Sequence, residues 1–398
     1  MLRPTRTAPQ PVNPMIRLAP SSAAAGSLAL LLALAATPAF AADDPGWNAS
    51  GDLRGGWFAG RTTARDGTVT DNDAFNARLR VAIQNAFADN WTARARVAGR
   101  FSSDQEDVQA YLRGYASTRT GTAFGDVTLD EAYLAYAAPD DGMRLRVGRF
   151  QTVFNLPGVA AKSLDRDDSP NTDVTWTDGV HLDMPIGAGW RGHAIAEHRH
   201  RRGTGVTRAP LDFSDSGSRV STFLAVENSE AWGPVSLRML SLTWMPSSLA
   251  VAGAGSDARD DYLTADARLA ATWPVGGNGM KLVAGAELAY AFDTPPDARV
   301  GTGGDGNADG LAWQVAASLY EMAPGHNIGI AHGEVGAGWL ISPDFRPNDR
   351  LTEVRYQWKF AERTSMEARV RERRELEHPV GTRARLDRDV YVRLSHRF

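Results

Sequence analysis

Residues 388–398 read RDVYVRLSHRF. Val390, Val392, Leu394 and Phe398 share one parity, and Tyr391, Arg393, Ser395 and Arg397 share the other. Strand side chains alternate between faces with period 2, so this stretch predicts a strand with one apolar and one polar face. Chain ends usually fray or finish in a polar tail. Here the apolar face runs to the last residue, an aromatic. An ordinary amphipathic edge strand alternates in the same way, so the rest of the chain must decide between a soluble sheet and one that faces lipid.

Working back from this stretch, period-2 segments recur over 52–60, 72–87, 91–101, 127–137, 143–150, 175–185, 190–200 and 218–227. They continue over 235–245, 262–273, 280–292, 311–322, 327–341, 352–360, 364–375 and 385–398. That is about 16 candidate strands, each near the ~9–11 residues a tilted membrane strand needs. Helical periodicity is almost absent. The short connections, such as 86–90, 138–142, 186–189 and 274–279, use Pro, Gly, Asn and Asp, as tight turns require. Between them lie longer polar links at 61–71, 102–125, 151–174, 201–217, 246–261, 293–310, 342–350 and 376–384. Short and long links alternate, the rhythm of an antiparallel barrel with periplasmic turns and longer external loops. The expected fold is therefore all-β, a transmembrane antiparallel barrel of about 16 strands. Trp57, Trp91, Tyr136, Trp190, Trp244, Trp273, Trp313, Trp339, Trp358 and Phe398 sit near strand ends, where interfacial girdles place aromatics.

Composition narrows the function. The 398 residues include no cysteine, which excludes a disulfide scaffold and thiolate chemistry. Net charge is −4, with no basic footprint for nucleic acid. Lysine occurs only at Lys162, Lys281 and Lys359, so positive charge is carried by arginine. Arg3, Arg6 and Arg17 precede an apolar run over 23–36, then Pro38 and the small-x-small triplet Ala39-Phe40-Ala41. This reads as a secretory signal peptide over 1–41, cleaved after Ala41, with Met15 as an alternative start. The mature chain, 42–398, reads as a single barrel domain. No later window reaches ~18 apolar residues, the length a spanning helix needs.

In a barrel the polar parity faces the lumen. The expected pore-lining set is Arg78, Arg80, Arg94, Arg96, Arg100, Arg144, Arg146, Arg369, Arg371, Arg373 and Arg393, with Arg397 at the end. Their strands come from the two ends of the chain, which closure makes neighbours, so the arginines would form one basic wall. Against it stands the long link 151–174 with Asp165, Asp167, Asp168 and Asp173, and Asp178 just beyond. Folded inward, this link would set carboxylates across from guanidiniums, a transverse field that selects ions. The alternative is a solvated external loop, with the arginines paired to lumen acids such as Glu131, Glu287 and Glu367.

Residues 145–182, LRVGRFQTVFNLPGVAAKSLDRDDSPNTDVTWTDGVHL, resemble Gram-negative trimeric porins, closest to the phosphate-selective group. That group carries a VG(R/Q)F-x-x-x-F strand-to-loop passage followed by a DGV-type strand. The final segment likewise resembles the closing strand of outer-membrane barrels, whose terminal aromatic is read by the barrel assembly machinery. The resemblance implies an outer-membrane location in a Gram-negative bacterium and a homotrimer. It further implies passive diffusion of small polar or anionic solutes, with no enzymatic activity and no cofactor. The chain departs from the anion-selective members in one respect: they use a lysine ladder, and here arginine supplies the charge.

Remaining motifs add little. Asp305, Asn307, Asp309 and Gly310 match the front of a calcium loop, but Ala316 occupies the twelfth position, so a Gly/Asp-rich external loop is the default. His193, His198 and His200 cluster in sequence without metal-ligand spacing, and no nucleophile elbow is present. The competing reading is an outer-membrane enzyme or adhesin with a plugged lumen. A soluble periplasmic β-protein is the third.

Overall fold

The computed structural model describes residues 46–103, 127–139, 142–169, 174–199, 208–213, 219–251, 258–276 and 278–398. The expected leader, Asp173 and His200 lie outside these residues.

Sixteen antiparallel strands close into one barrel, as the alternation predicts. The first eight are β1 (Trp47–Thr63), β2 (Val69–Ala88), β3 (Trp91–Ser102), β4 (Val127–Ala137), β5 (Arg144–Phe150), β6 (Thr177–Gly187), β7 (Trp190–Arg199) and β8 (Arg219–Asn228). The second eight are β9 (Val235–Ala250), β10 (Arg259–Pro274), β11 (Lys281–Ala291), β12 (Leu311–Ala323), β13 (His326–Val335), β14 (Asp349–Ala361), β15 (Thr364–Glu375) and β16 (Leu386–Arg397). Each strand pairs with its neighbours in chain order, and β16 returns to β1. Closure leaves no open edge, the condition for a sheet surrounded by lipid, where no water can satisfy stray backbone groups. At the seam the Gly51 and Phe398 backbones exchange hydrogen bonds of 2.8 and 3.1 Å. Glycine is required there at Gly56, where a Cβ would lie 2.1 Å from the Val392 carbonyl oxygen.

The two faces separate by chemistry. Val390 and Val392 are 47% and 53% exposed, while the intervening Tyr391 and the adjacent Arg393 are buried. The same inversion holds for Leu269 against Arg268, Leu288 against Glu287 and Val354 against Glu353: apolar outside, charged inside. Trp47, Trp57, Trp91, Trp244, Trp273 and Trp358 are exposed on the outer parity.

Three sequence expectations need correction. Residues 61–71 are not a long link: β1 runs to Thr63 and β2 starts at Val69. Arg61 and Asp71 form a cross-strand ion pair of 2.6 Å, so their polarity belongs to a paired strand end. Residues 327–341 are not one strand, because β13 stops at Val335 and the chain turns into the barrel. A Cβ at Gly336 would lie 2.3 Å from the Asp309 carbonyl, which explains glycine at that turn. Trp339, placed in a girdle by its position, is instead fully buried.

Candidate functional site

The link between β5 and β6 crosses the barrel interior. Its anchors are inner-face side chains on well-separated strands. The Val159 amide donates to Ser318 Oγ on β12 at 2.9 Å. The Leu164 amide donates to Glu287 Oε1 on β11 at 3.0 Å, and Ser241 Oγ on β9 donates to Asp165 at 2.8 Å. Arg166 reaches Glu197 on β7 at 2.6 Å, and Arg268 on β10 pairs with Asp165. The loop closes on itself through Asp168, which accepts from the Thr152 amide at 2.9 Å and from the Thr177 hydroxyl at 3.0 Å.

Two further segments join it. Leu211 and Phe213, with Trp339, Leu340, Ile341 and Phe345, pack with Leu164 against Met245, Leu249, Tyr262 and Leu351. Trp339 Nε1 donates to the Leu164 carbonyl at 2.8 Å, and Ser342 Oγ donates to the Ser163 carbonyl at 2.9 Å. The Tyr262 hydroxyl donates to the Gly338 carbonyl and accepts from the Leu340 amide, both at 2.9 Å. A dry apolar core therefore stands inside the barrel on the β9–β14 side. Half of it is link residues, which carry no strand periodicity, and they pack on apolar side chains of the inner parity of β9, β10 and β14.

The arc from β14 through β16 and β1 to β4 faces these segments with arginines. Arg78 lies 3.2 Å from Asp52, and Arg80 and Arg96 share Asp130 at 3.1 and 2.9 Å. Arg94 lies 2.6 Å from Glu131, Arg371 2.8 Å from Asp389 and Arg393 2.9 Å from Glu367. Arg369 also pairs with Asp389. Arg373 donates to the Asp344 carbonyl at 2.9 Å, and Arg100 is buried. Closure thus brings the strands from both chain ends together. Acids interleave with the arginines, so most of these buried charges have a carboxylate within ion-pair reach, as burial in a low dielectric requires. Arg54 and Arg355 also stand on the inner parity of β1 and β14 and belong to this network, the latter 2.5 Å from Glu353. The parity of 352–360 could have shown Arg355 and Glu353.

Arg144 and Arg146 sit apart, over a cavity of about 460 Å³ that Tyr133, Phe154, His181 and His193 also line. Arg144 pairs with Asp183 at 2.8 Å, while Arg146 donates to the Gln151 carbonyl at 3.1 Å.

The aspartates divide. Asp165 turns away from the arginine arc, toward Arg268, and Asp168 is buried within the loop. Asp178 faces outward, paired with Arg149 at 2.7 Å beneath the Trp176 ring. Asp167 alone, among those described, lies at the loop edge, accepting from the Ser169 amide at 2.8 Å and from Asn155 Nδ2 at 3.2 Å. Burial, reinforced by the nearby Asp344 carboxylate, pushes the Asp167 carboxyl up to about 6. Asp344, on the β13–β14 segment, was not singled out by sequence. The loop meets the wall at Ser169, whose hydroxyl accepts from Arg78 at 3.2 Å and Arg80 at 3.0 Å. Among the described residues no cluster of His, Cys, Asp and Glu is placed to hold a metal.

No family model and no curated protein matches the chain. Solved barrels do match in fold. Pseudomonas putida OprB superposes with TM-score 0.60 at 11% identity, over 89% of this chain and 94% of that one. The outer membrane channel DcaP of Acinetobacter baumannii gives 0.53 at 15%, over 88% and 97%. Pseudomonas aeruginosa OccK2, solved in complex with glucuronate, gives 0.53 at 11%, over 88% and 96%. At these identities the likeness shows the fold: the chain shares the barrel of these proteins.

Proposed function

We propose that the protein is an outer-membrane porin of a Gram-negative bacterium, a passive diffusion channel that favours small anions and acts as a homotrimer. The observation that carries this is the meeting of the inward loop with the arginine arc at Ser169, Arg78 and Arg80. A wall in which inward guanidiniums outnumber their carboxylate partners lowers the energy of an anion in the lumen. Arginine presents a bidentate fork to carboxylate or phosphate. The resemblance of residues 145–182 to phosphate-selective porins supports the anion preference. The solved neighbours support a channel: DcaP is an outer membrane channel, and OccK2 was solved with glucuronate.

Planar-bilayer recording under a salt gradient tests the reading. Stepwise conductance with an anion-selective reversal potential is expected. A silent barrel removes the channel, and cation selectivity removes the role given to the arginines. The apolar core inside the barrel favours a second reading, a plugged lumen. Liposome swelling in small sugars separates the two, because a plugged barrel admits none.

A further inference from the structure

Four inward side chains on consecutive strands form one row along the cavity of about 460 Å³: Arg146 on β5, His181 on β6, His193 on β7 and Glu227 on β8. Arg146 is directly opposite His181, and the next two steps are diagonal, within reach of long side chains. Arg146 Nη2 meets His181 Nδ1 at 2.6 Å, and His181 Nε2 meets His193 Nδ1 at 3.3 Å. His193 Nε2 lies 3.3 Å from Glu227 Oε1.

Donor counting places each proton. A guanidinium only donates, so His181 Nδ1 accepts and the ring proton sits on Nε2. That N–H goes to His193 Nδ1, which leaves the second ring's proton on its own Nε2. The last contact lies off the line of a straight hydrogen bond, yet a carboxylate at that distance attracts an N–H and repels a lone pair. Glu227 is left to this contact, because Arg191, opposite it in register, turns to Asp183, which also takes Arg144. The row therefore runs one way, from guanidinium to carboxylate, with both rings neutral. The reverse tautomers would set His181 Nδ1–H against Arg146, donor facing donor. Ring packing alone, with Phe154 edge-on to His193 at 5.2 Å, requires neither tautomer.

Arg146 is the group that the row delivers. It also donates to the Gln151 carbonyl at 3.1 Å and lies over the Phe150 ring, 5.0 Å from its centroid. Among the described residues it has no carboxylate in ion-pair reach, unlike Arg94, Arg96 and Arg144. Two of its five N–H donors are committed, and the rest are left for the cavity that it lines.

We propose that Glu227, acting through the tautomers of His193 and His181, is a positioning residue that holds Arg146 as an anion contact of this cavity. The inference rests on the channel reading above and adds to it the device that aims one arginine.

The test uses the full chain with nitrogen-15-labelled histidine, refolded in detergent micelles, with signals assigned by His181→Gln and His193→Gln. At pH 7.5 both rings are expected as neutral Nε2–H tautomers. Nδ1–H or doubly protonated rings overturn the proposal. A second arm records planar-bilayer reversal potentials for Glu227→Gln and Glu227→Leu. Both remove the same charge, but only Gln keeps an acceptor for His193. The anion-to-cation permeability ratio is expected to be about fivefold lower for Leu than for Gln, the worth of one hydrogen bond. In an Arg146→Gln background the two variants should be alike. Equal ratios with Arg146 present, or a difference that survives its removal, overturn the proposal. If Glu227→Leu does not fold, the tautomers of the unaltered chain decide. A barrel that never conducts ends the channel reading, on which the histidine signals do not depend. The wrong tautomers in a conducting barrel end this inference alone.

Discussion

The Lys162 ammonium lies 2.9 Å from the Glu353 carboxylate, with side-chain exposures of 1% and 0%. One is on the inward loop and the other on β14, so a single buried ion pair ties the loop to the arc that carries the arginines.

Breaking this tie should loosen the loop. Removing one partner of a buried pair costs about 3–5 kcal/mol. Lys162→Met should fall near the lower end, because Glu353 keeps Arg355 at 2.5 Å. A lowered denaturation midpoint is expected, together with noisier open-channel current. The double variant with Glu353→Gln should recover part of the loss, and simple additivity in that cycle counts against coupling.

The arginines that meet the loop should set selectivity. A unit charge at ~4 Å in water is worth about 1 kcal/mol, roughly a fivefold change in ion preference. Arg78→Gln with Arg80→Gln is therefore expected to lower the anion-to-cation permeability ratio at least about fivefold. An unmoved reversal potential places the ion path elsewhere in the lumen.

The loop edge should titrate. Asp167, on the link and outside the strands, has its carboxyl pushed up to about 6 by burial and by the Asp344 carboxylate. Below that pH it is neutral, so the edge loses a negative charge and anion preference should increase between pH 7.5 and 5. Asp167→Asn should hold the acidic-side value at both pH values. The same shift fixes the sign for stability. The folded state binds this proton more tightly than the unfolded chain, so its contribution is fully present at low pH. That contribution is lost as pH rises from near ~4 through 6.

Trp339 should behave as core, not as an interfacial anchor. It is 0% exposed and bonds the Leu164 carbonyl at 2.8 Å. Trp339→Ala should cost about 3–5 kcal/mol and raise single-channel conductance by emptying part of the lumen. Trp57→Ala, on the lipid side, should leave conductance unchanged.

Val392 and Arg393 give the barrel's polarity its simplest check. Val392→Arg puts a charge into the apolar band, at a cost of about 2–4 kcal/mol, and should weaken the heat-modifiable folded form on gels. A soluble sandwich would show no such penalty for a residue already 53% exposed.

The sequence alone determined the barrel. Period-2 alternation is a local property of each segment, and in a barrel of antiparallel neighbours the local pattern also fixes which side chains face lipid. That is why alternation alone puts Val392 and Arg393 on opposite faces, the first exposed and the second buried. Polarity misled at 61–71, because Arg61 and Asp71 satisfy one another on the outside of paired strands. Tertiary structure decided what occupies the lumen. The turn of residues 336–345 inward, the burial of Trp339 and the pairing of Asp165 with Arg268 rather than with the arginine arc join links to strands more than 100 positions apart. Such contacts depend on which cavity remains after the wall has closed. No residue's immediate neighbours carry that information.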